Sequence, residues 1–257
     1  MEKILLEQEL PIQELAQLGL YDHGKCLLQQ EDIMALKMGR RTGLLQLNNL
    51  SGNGYQIRNI SAKLSFNDQK LLLHPIYKEV QNMEDLNPAD SDALINEKRD
   101  CIVKAVREAN GQFVERVYEY DADTKEFISY APSSVQAPQT VNNELLNQKQ
   151  KDDFAKGNVV TISDGTRFKH TALSNKGILS DRKALILSVL LDGGISYLLI
   201  RGLNAINRKD SAQKEAETQG FNAALQMMAN SANPEENAEV INLKNDHSRG
   251  YGRTSSR

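Results

Sequence analysis

The stretch RKALILSVLLDGGISYLLIRG, Arg182 to Gly202, contains the one long apolar run of the chain, Ala184 to Ile200, and no other feature limits the fold as much. Ten of its positions are Leu, Ile or Val, and Asp192, Gly193 and Gly194 interrupt its middle. As a single helix the run is about 26 Å long, slightly under the roughly 30 Å hydrocarbon core of a bilayer. Each aliphatic side chain contributes about −0.3 to −0.6 kcal/mol to insertion, and Asp192 near the centre costs about 2.5 to 3.5 kcal/mol. Gly, Ser and Tyr consume most of the remainder, so spanning is marginal. On that helix Ala184, Ser188, Asp192 and Ser196 recur every four residues as a small, polar stripe suited to close helix–helix contact in lipid or in water. Alternatively, Asp192-Gly193-Gly194 divides the run into a hairpin of two short apolar helices, neither long enough to span. The leading expectation is a buried or self-associating helix or helical hairpin. A membrane segment is the second reading and an exposed partner-binding element the third. Arg182 and Lys183 precede the run, and Arg201, Arg208 and Lys209 follow it, so flanking charge sets no orientation.

Upstream, three segments read as variants of one unit. The first is the helix QEDIMALKMGR and then RTGLLQLNNL, QIRNISAKLSF and KLLLHPIY, with turns at SGNG and NDQ. The second is SDALINEKRD, then CIVKAVRE, QFVERVYEY and FISYAP. The third is NELLNQKQKDDFAKG, then NVVTI and RFKHTAL around SDGT. Asp90 or Ser91 is expected to cap the second helix and Asn143 the third. In QFVERVYEY, Glu115 and Glu119 share a face with Phe113 and Val117, as in an edge strand or a sheet with one wet side. APSSVQAPQTVNN, from Ala131, reads as an extended linker. After Asn207 the composition is polar. One weak helix is expected over Ala212–Met228, with disorder beyond, because little apolar surface is available to offset ordering entropy.

The expected class is therefore α+β, with repeated small helix-plus-β-hairpin modules, then an apolar C-terminal helix or helical hairpin and a disordered tail. Its divisions are 1–80, 81–140 (acidic), 141–180, 181–207 and 208–257. Residues 81–150 carry 7 basic and 13 acidic side chains, and residues 151–183 carry 7 basic and 4 acidic, a split read first as a solvated mixed surface and second as contact between modules or with a partner. The net charge of −3 gives no global attraction to nucleic acid or anionic lipid. The N-terminus has acidic residues throughout its first apolar stretch, so a cleaved export signal is not expected.

The search for chemistry is mostly negative. Cys26 and Cys101 have no CxxC pattern, and the four histidines are dispersed without HxxxH or HExxH, so neither a disulfide nor a metal site is expected. YDADTKEFISYAP begins like a calcium loop at Asp121 and Asp123. It fails at Lys125, at Glu126 where Gly is needed and at Pro132 where Glu is needed. No phosphate-binding glycine loop and no GxSxG occurs. No cofactor is expected, and the chain is read as non-enzymatic. The best nucleic-acid candidates are Lys37, Arg40 and Arg41 at the end of the first helix, then Arg167, Lys169 and Lys176. Cations at a helix C-terminus are also favoured by the dipole alone.

LQQEDIMALKMGRRTGLLQL, ISAKLSF with KLLLHPIYKE, YEYDADTKEFISYAPSSVQAPQTVNNELLNQKQ and RKALILSVLLDGGISYLLIRG together resemble a known group. It is the domain-of-unknown-function proteins encoded in conjugative transposons and related mobile elements of gut anaerobic bacteria. The resemblance runs from about Leu10 to Ile206, and YDADTKEFISY and LILSVLLDGGISYLL are its most specific parts. It implies an accessory protein of a mobile element, working in the bacterial cytoplasm or at its membrane, and it carries over no catalytic residue. The functional expectation is a non-enzymatic adaptor that docks a protein partner or a second copy through 184–206. A nucleic-acid-binding accessory protein and a small membrane-anchored subunit are the alternatives.

Overall fold

The computed structural model describes residues 10–52, 55–67, 70–108, 111–191, 194–206 and 213–231. They fall into two compact units. One is Met1–Ala137, Lys149–Val160 and Phe168–Leu179; the other is Pro138–Gln148, Thr161–Arg167 and Ser180–Arg257.

The first unit begins with α1 (Ile12–Gln17), the short pair β1 (Tyr21–Asp22) and β2 (Lys25–Cys26), and α2 (Gln30–Lys37). Glu31 and Asp32 in the first turn of α2 and Lys37 in the last complement its dipole. Gly39, left-handed at φ +65°, ends it. A three-stranded antiparallel sheet follows: β3 (Leu45–Gly52), β4 (Tyr55–Asn67) and β5 (Lys70–Pro75), with β4 in the middle. Leu64 and Phe66 of β4 pack under Leu15 of α1 and Ile33 and Leu36 of α2. Strand alternation then sends Lys63 and Ser65 to the opposite face.

The next elements are α3 (Pro88–Ile95), β6 (Ile102–Arg107), β7 (Phe113–Asp121) and β8 (Glu126–Tyr130), with β7 between the other two. Asn87, not Asp90 or Ser91, caps α3: its side-chain oxygen accepts the Asp90 N–H at 2.8 Å. Leu86, Leu94, Ile102, Tyr118 and Phe127 form the core beneath α3. The sequence pattern pointed to a wet face or an edge for QFVERVYEY. It is a central strand whose first half does expose Phe113 and Glu115, but whose far end is buried on both faces: Val117, Tyr118, Glu119 and Asp121 are all 3% exposed or less.

Beyond it lie β9 (Thr140–Val141), β10 (Glu144–Leu145), α4 (Gln148–Ala155), β11 (Val160–Thr161), β12 (Arg167–His170) and β13 (Ile178–Ser180). β12 sits between β11 and β13. The stretch read as a linker thus supplies one strand, β9, and the start of the stretch read as the third helix supplies another, β10. Asn143 caps no helix; with Asn142 it forms the left-handed turn between β9 and β10.

The second unit is built on β14 (Ala184–Leu191) and β15 (Gly194–Arg201), in a sheet ordered β10-β9-β14-β15. β14 and β15 pair antiparallel from Ala184 opposite Arg201 to Leu191 opposite Gly194. Ala184 and Ile186 are covered by Phe221 and Ala224 of α5 (Gln219–Ser231).

The α+β expectation, with its apolar C-terminal helix or helical hairpin, is therefore wrong. The chain is mostly β, in several small sheets, and the apolar run is two strands. The physical reason is in the sequence. Asp-Gly between two apolar halves is among the strongest hairpin signals, and Ile186, Val189, Ile195 and Ile200 are β-branched. β14 is apolar on successive positions because it is a central strand buried on both faces: Leu185 and Ile186 are at most 1% exposed. Among the described residues no helix is long and apolar enough to cross a membrane. The expected disorder of 232–257 lies outside the described residues.

Candidate functional site

In the first unit, the polar face of β4 meets the turn that joins β7 to β8. Lys63 lies directly across from His74 of β5. Its ammonium donates to both Asp121 carboxylate oxygens at 2.9 Å and lies 2.9 Å from Asp123 Oδ2. Arg41 Nη1 donates to Glu126 Oε2 at 2.8 Å and to Thr124 Oγ1 at 3.2 Å, and it stands 3.5 Å from Asp121. His74 Nδ1 is 3.4 Å from the Glu126 carboxylate, and its Nε2 is 2.8 Å from Ser65 Oγ. Burial alone would raise the Glu126 carboxyl. The His74 hydrogen bond and the Arg41 charge outweigh it and hold that carboxyl below its ordinary range. The side chains of Lys63 and Asp121 are 4% and 2% exposed, while Asp123 reaches solvent.

This geometry accounts for the near-miss calcium loop. Lys63 Nζ stands between Asp121 and Asp123, where a cation would sit, and Lys125 adopts the left-handed turn at φ +59°. Among the described residues no three His, Cys, Asp or Glu are placed to hold a metal. Ser65, His74 and Glu126 are linked in the order of a nucleophile, a base and an orienting acid. Ser65 is 4% exposed, however, and lies within a strand packed on this interface.

A second buried group surrounds Glu119, which is 3% exposed. It accepts hydrogen bonds from Thr171 Oγ1 at 2.9 Å and from the Ala172 N–H at 2.8 Å. Burial nevertheless pushes its carboxyl up to about 7. His170 lies against the rings of Tyr130 and Phe154, at centroid distances of 5.0 and 5.5 Å. Burial, helped by the charge of Arg40, pushes it down to about 3. Burial and then Glu119 push the Cys101 thiol up to about 11, so it is a packing group and not a reactive thiolate.

The structure separates the residues singled out from sequence. Arg41 is buried in the network above, and Lys169, 5% exposed, donates to Asp100 at 2.6 Å. Lys156 also pairs with Glu115, so the basic third segment neutralises part of the acidic second one within this unit. Lys37 and Lys176 are half-buried, and Arg40 is held against Gly177. In the second unit Arg167 is exposed and its N–H binds Asp181 Oδ1 at 2.8 Å. Ala184 is core, and buried Ser188 accepts the Thr140 N–H at 3.0 Å. Gly194 opens β15, Ser196 pairs across from Val189, and Asp192 and Gly193 lie outside the described residues. Sequence reasoning missed Lys63, Ser65, Glu119 and Glu126. The available signal was charge at inward positions of otherwise apolar strands.

Among the described residues of the second unit β15 ends its sheet. From Gly194 to Ile200 it holds no proline and no charge; Arg201 closes it. Tyr197 and Leu199 turn toward α5. Leu198, across from buried Leu187, is 39% exposed.

These two features define a mostly β chain with a salt-bridged sheet face in one unit and an open apolar strand edge in the other. Residues 6–84 are a domain of unknown function: they match the family described as Protein of unknown function (DUF4099). That match takes in Arg41, Lys63, Ser65 and His74; the carboxylates they meet, Asp121, Asp123 and Glu126, come from beyond it. No curated protein and no solved structure matches the chain significantly.

Proposed function

We propose that the chain is a non-enzymatic protein-interaction protein that associates with a second copy of itself by adding strands at the edge of β15. The observation that carries this reading is the edge itself. A sheet edge leaves a row of backbone donors and acceptors ready to pair, and most proteins guard it with Lys, Pro or a bulge. From Gly194 to Ile200 β15 has neither Lys nor Pro, and it exposes Leu198. Antiparallel self-pairing centred on Leu198 would keep the two Arg201 side chains about 20 Å apart, whereas parallel pairing would set them side by side. The sequence resemblance supports the setting, an accessory protein of a mobile element. The nucleic-acid alternative is weaker, because Arg41 and Lys169 are spent on buried carboxylate pairs.

Light scattering on the full chain across a concentration series tests this. The expected result is a mass that rises toward a dimer, and a Leu198→Lys chain that stays monomeric with an association constant lowered at least about tenfold. Lys at 198 can lay its stem on Leu187 and send its ammonium outward, so the fold is retained. A wild-type chain that stays monomeric at high micromolar concentration sinks the proposal. The non-enzymatic reading makes a second prediction: a fluorophosphonate that labels activated serines leaves Ser65 unmodified in the folded chain. Stoichiometric labelling lost on His74→Ala would turn the Ser65–His74–Glu126 chain into a catalytic candidate.

A further inference from the structure

Arg40 and Arg41 are adjacent, but they are treated very differently by the fold. Arg41 has Glu126 and Thr124 within hydrogen-bond distance. Arg40 follows α2 through a paired turn in which the Gly39 N–H reaches Leu36 O at 3.0 Å and the Arg40 N–H reaches Ala35 O at 2.8 Å. An apolar side chain packed on the last helical turn commonly fills that place. Here a guanidinium fills it, laid on Gly177: a Cβ at Gly177 would fall 1.3 Å from Nη1 and 2.5 Å from Cζ. Gly177 is left-handed at φ +69°, so both its backbone and its missing side chain accommodate the arginine.

Among the described residues the guanidinium has no acid. Its Nε is buried without a hydrogen-bond partner. Its Nη2 contacts Met38 Sδ at 3.3 Å, and a thioether is a weak acceptor. Among the described residues no carboxylate forms an ion pair with it. Asp32, the buried carboxylate of α2, is occupied by the Gly43 N–H at 2.7 Å and Asn175 Nδ2 at 2.9 Å. The neighbouring His170 is neutral. Burial pulls the Arg40 guanidinium itself down to about 10, with no acid to oppose the shift. Buried guanidinium groups are ordinarily paired with carboxylates or phosphates, because desolvating an unpaired charge is costly.

We propose that Arg40 is an oxyanion-binding residue: seated on Gly177 and in contact with Met38 at Nη2, it takes a carboxylate or phosphate group as the counter-charge that the described residues do not supply. Met38 is 39% exposed and flexible, so its thioether can swing aside and free the Nη2 donors for an incoming oxygen. One guanidinium beside a neutral imidazole suits a single oxyanion group.

The test is thermal melting of the full chain in sodium phosphate, sodium acetate and sodium chloride at one pH and one ionic strength, for wild type and Arg40→Met. At a ligand concentration ten times the dissociation constant, the folding equilibrium constant rises about elevenfold. For a chain of this size that raises the wild-type Tm by about 3–6 °C over chloride, and Arg40→Met shows no rise. A rise with both anions assigns a general oxyanion site, and a rise with phosphate alone assigns a phosphate group. In chloride, Arg40→Met melts no lower than wild type, because it removes an unpaired buried charge at similar volume. Equal rises in wild type and variant, or no rise in wild type, overturn the proposal. So does stabilisation by a DNA duplex in the absence of any effect of free phosphate, which points to a nucleic-acid surface. The Nε–H resonance of Arg40 is a readout independent of the variant's folding: it shifts on phosphate titration if the site binds and stays fixed if it does not.

Discussion

Lys63→Met is expected to lower the stability of the full chain by about 3–5 kcal/mol in urea unfolding, the largest loss from a single surface-distant substitution in the network. The substitution keeps the volume of the side chain. It leaves Asp121, 2% exposed, with Arg41 at 3.5 Å as its remaining cation. Arg41 is already engaged by Glu126 at 2.8 Å, so it cannot supply the two short bonds that Lys63 gives. The cost comes from stranding a carboxylate, not from losing a favourable pair. The double variant Lys63→Met/Asp121→Leu should therefore recover most of the loss, because Asp123 can turn to water and Arg41 keeps Glu126. A single-variant cost below about 1 kcal/mol, with no recovery in the double, would show that solvent reaches the pair and that the interface is not closed.

The second large effect is in the pH dependence of stability, where two buried groups act in opposite directions. Glu119 is raised from 4.5 to about 7, so the folded chain holds its proton more tightly than the unfolded chain. Its contribution is present at low pH and is lost as pH rises from about 4.5 to about 7, a change of about 3 kcal/mol. His170 is lowered from 6.5 to about 3, so the unfolded chain holds that proton more tightly. Its contribution is present above about 6.5 and is lost as pH falls toward 3, a change of about 4–5 kcal/mol. Between pH 4.5 and 6.5 the two slopes oppose and the wild-type profile is flattened; below 4.5 the loss through His170 is no longer opposed, the Glu126 carboxyl that is held low adds to it, and the fall is steep. Glu119→Gln removes one slope, so its stability should climb steeply from pH 4.5 to 6.5 and exceed wild type at pH 8. Urea unfolding at half-unit steps from pH 4 to 8 checks this. A Glu119→Gln profile parallel to wild type would mean that Glu119 is ionised throughout and that its bonds to Thr171 and Ala172 outweigh its burial.

Local patterns were legible to different depths. In QEDIMALK, acids at the front, a lysine at the back and a glycine two residues on give both ends of α2. The strands around SDGT followed its turn chemistry, with Gly165 left-handed at φ +77°. LILSVLLDGGISYLL was misread because a run apolar at every position has no period, and helix and buried strand then differ only by propensity and by the Asp-Gly signal at its centre. Glu119 was misread for a different reason, and Asp121, read as part of an acidic turn, ends β7 instead. Charge on a strand normally means solvent, and the partners that make burial tolerable, Thr171 and Lys63, lie 52 and 58 residues away.

What the sequence by itself determined is what depends on neighbours within a few positions: helix starts and stops, hairpin turns, the alternation that puts Leu64 and Lys63 on opposite faces of β4, and the lack of charge from Gly194 to Ile200. Tertiary structure alone decided which sheet face met which turn. Among the described residues it paired Lys63 with Asp121, held Arg41 to Glu126, left Arg40 on Gly177 without an acid and placed β15 at the edge of its sheet. Those outcomes depend on pairings between distant segments, where the cost of burying a charge is set by whatever group the fold brings opposite it.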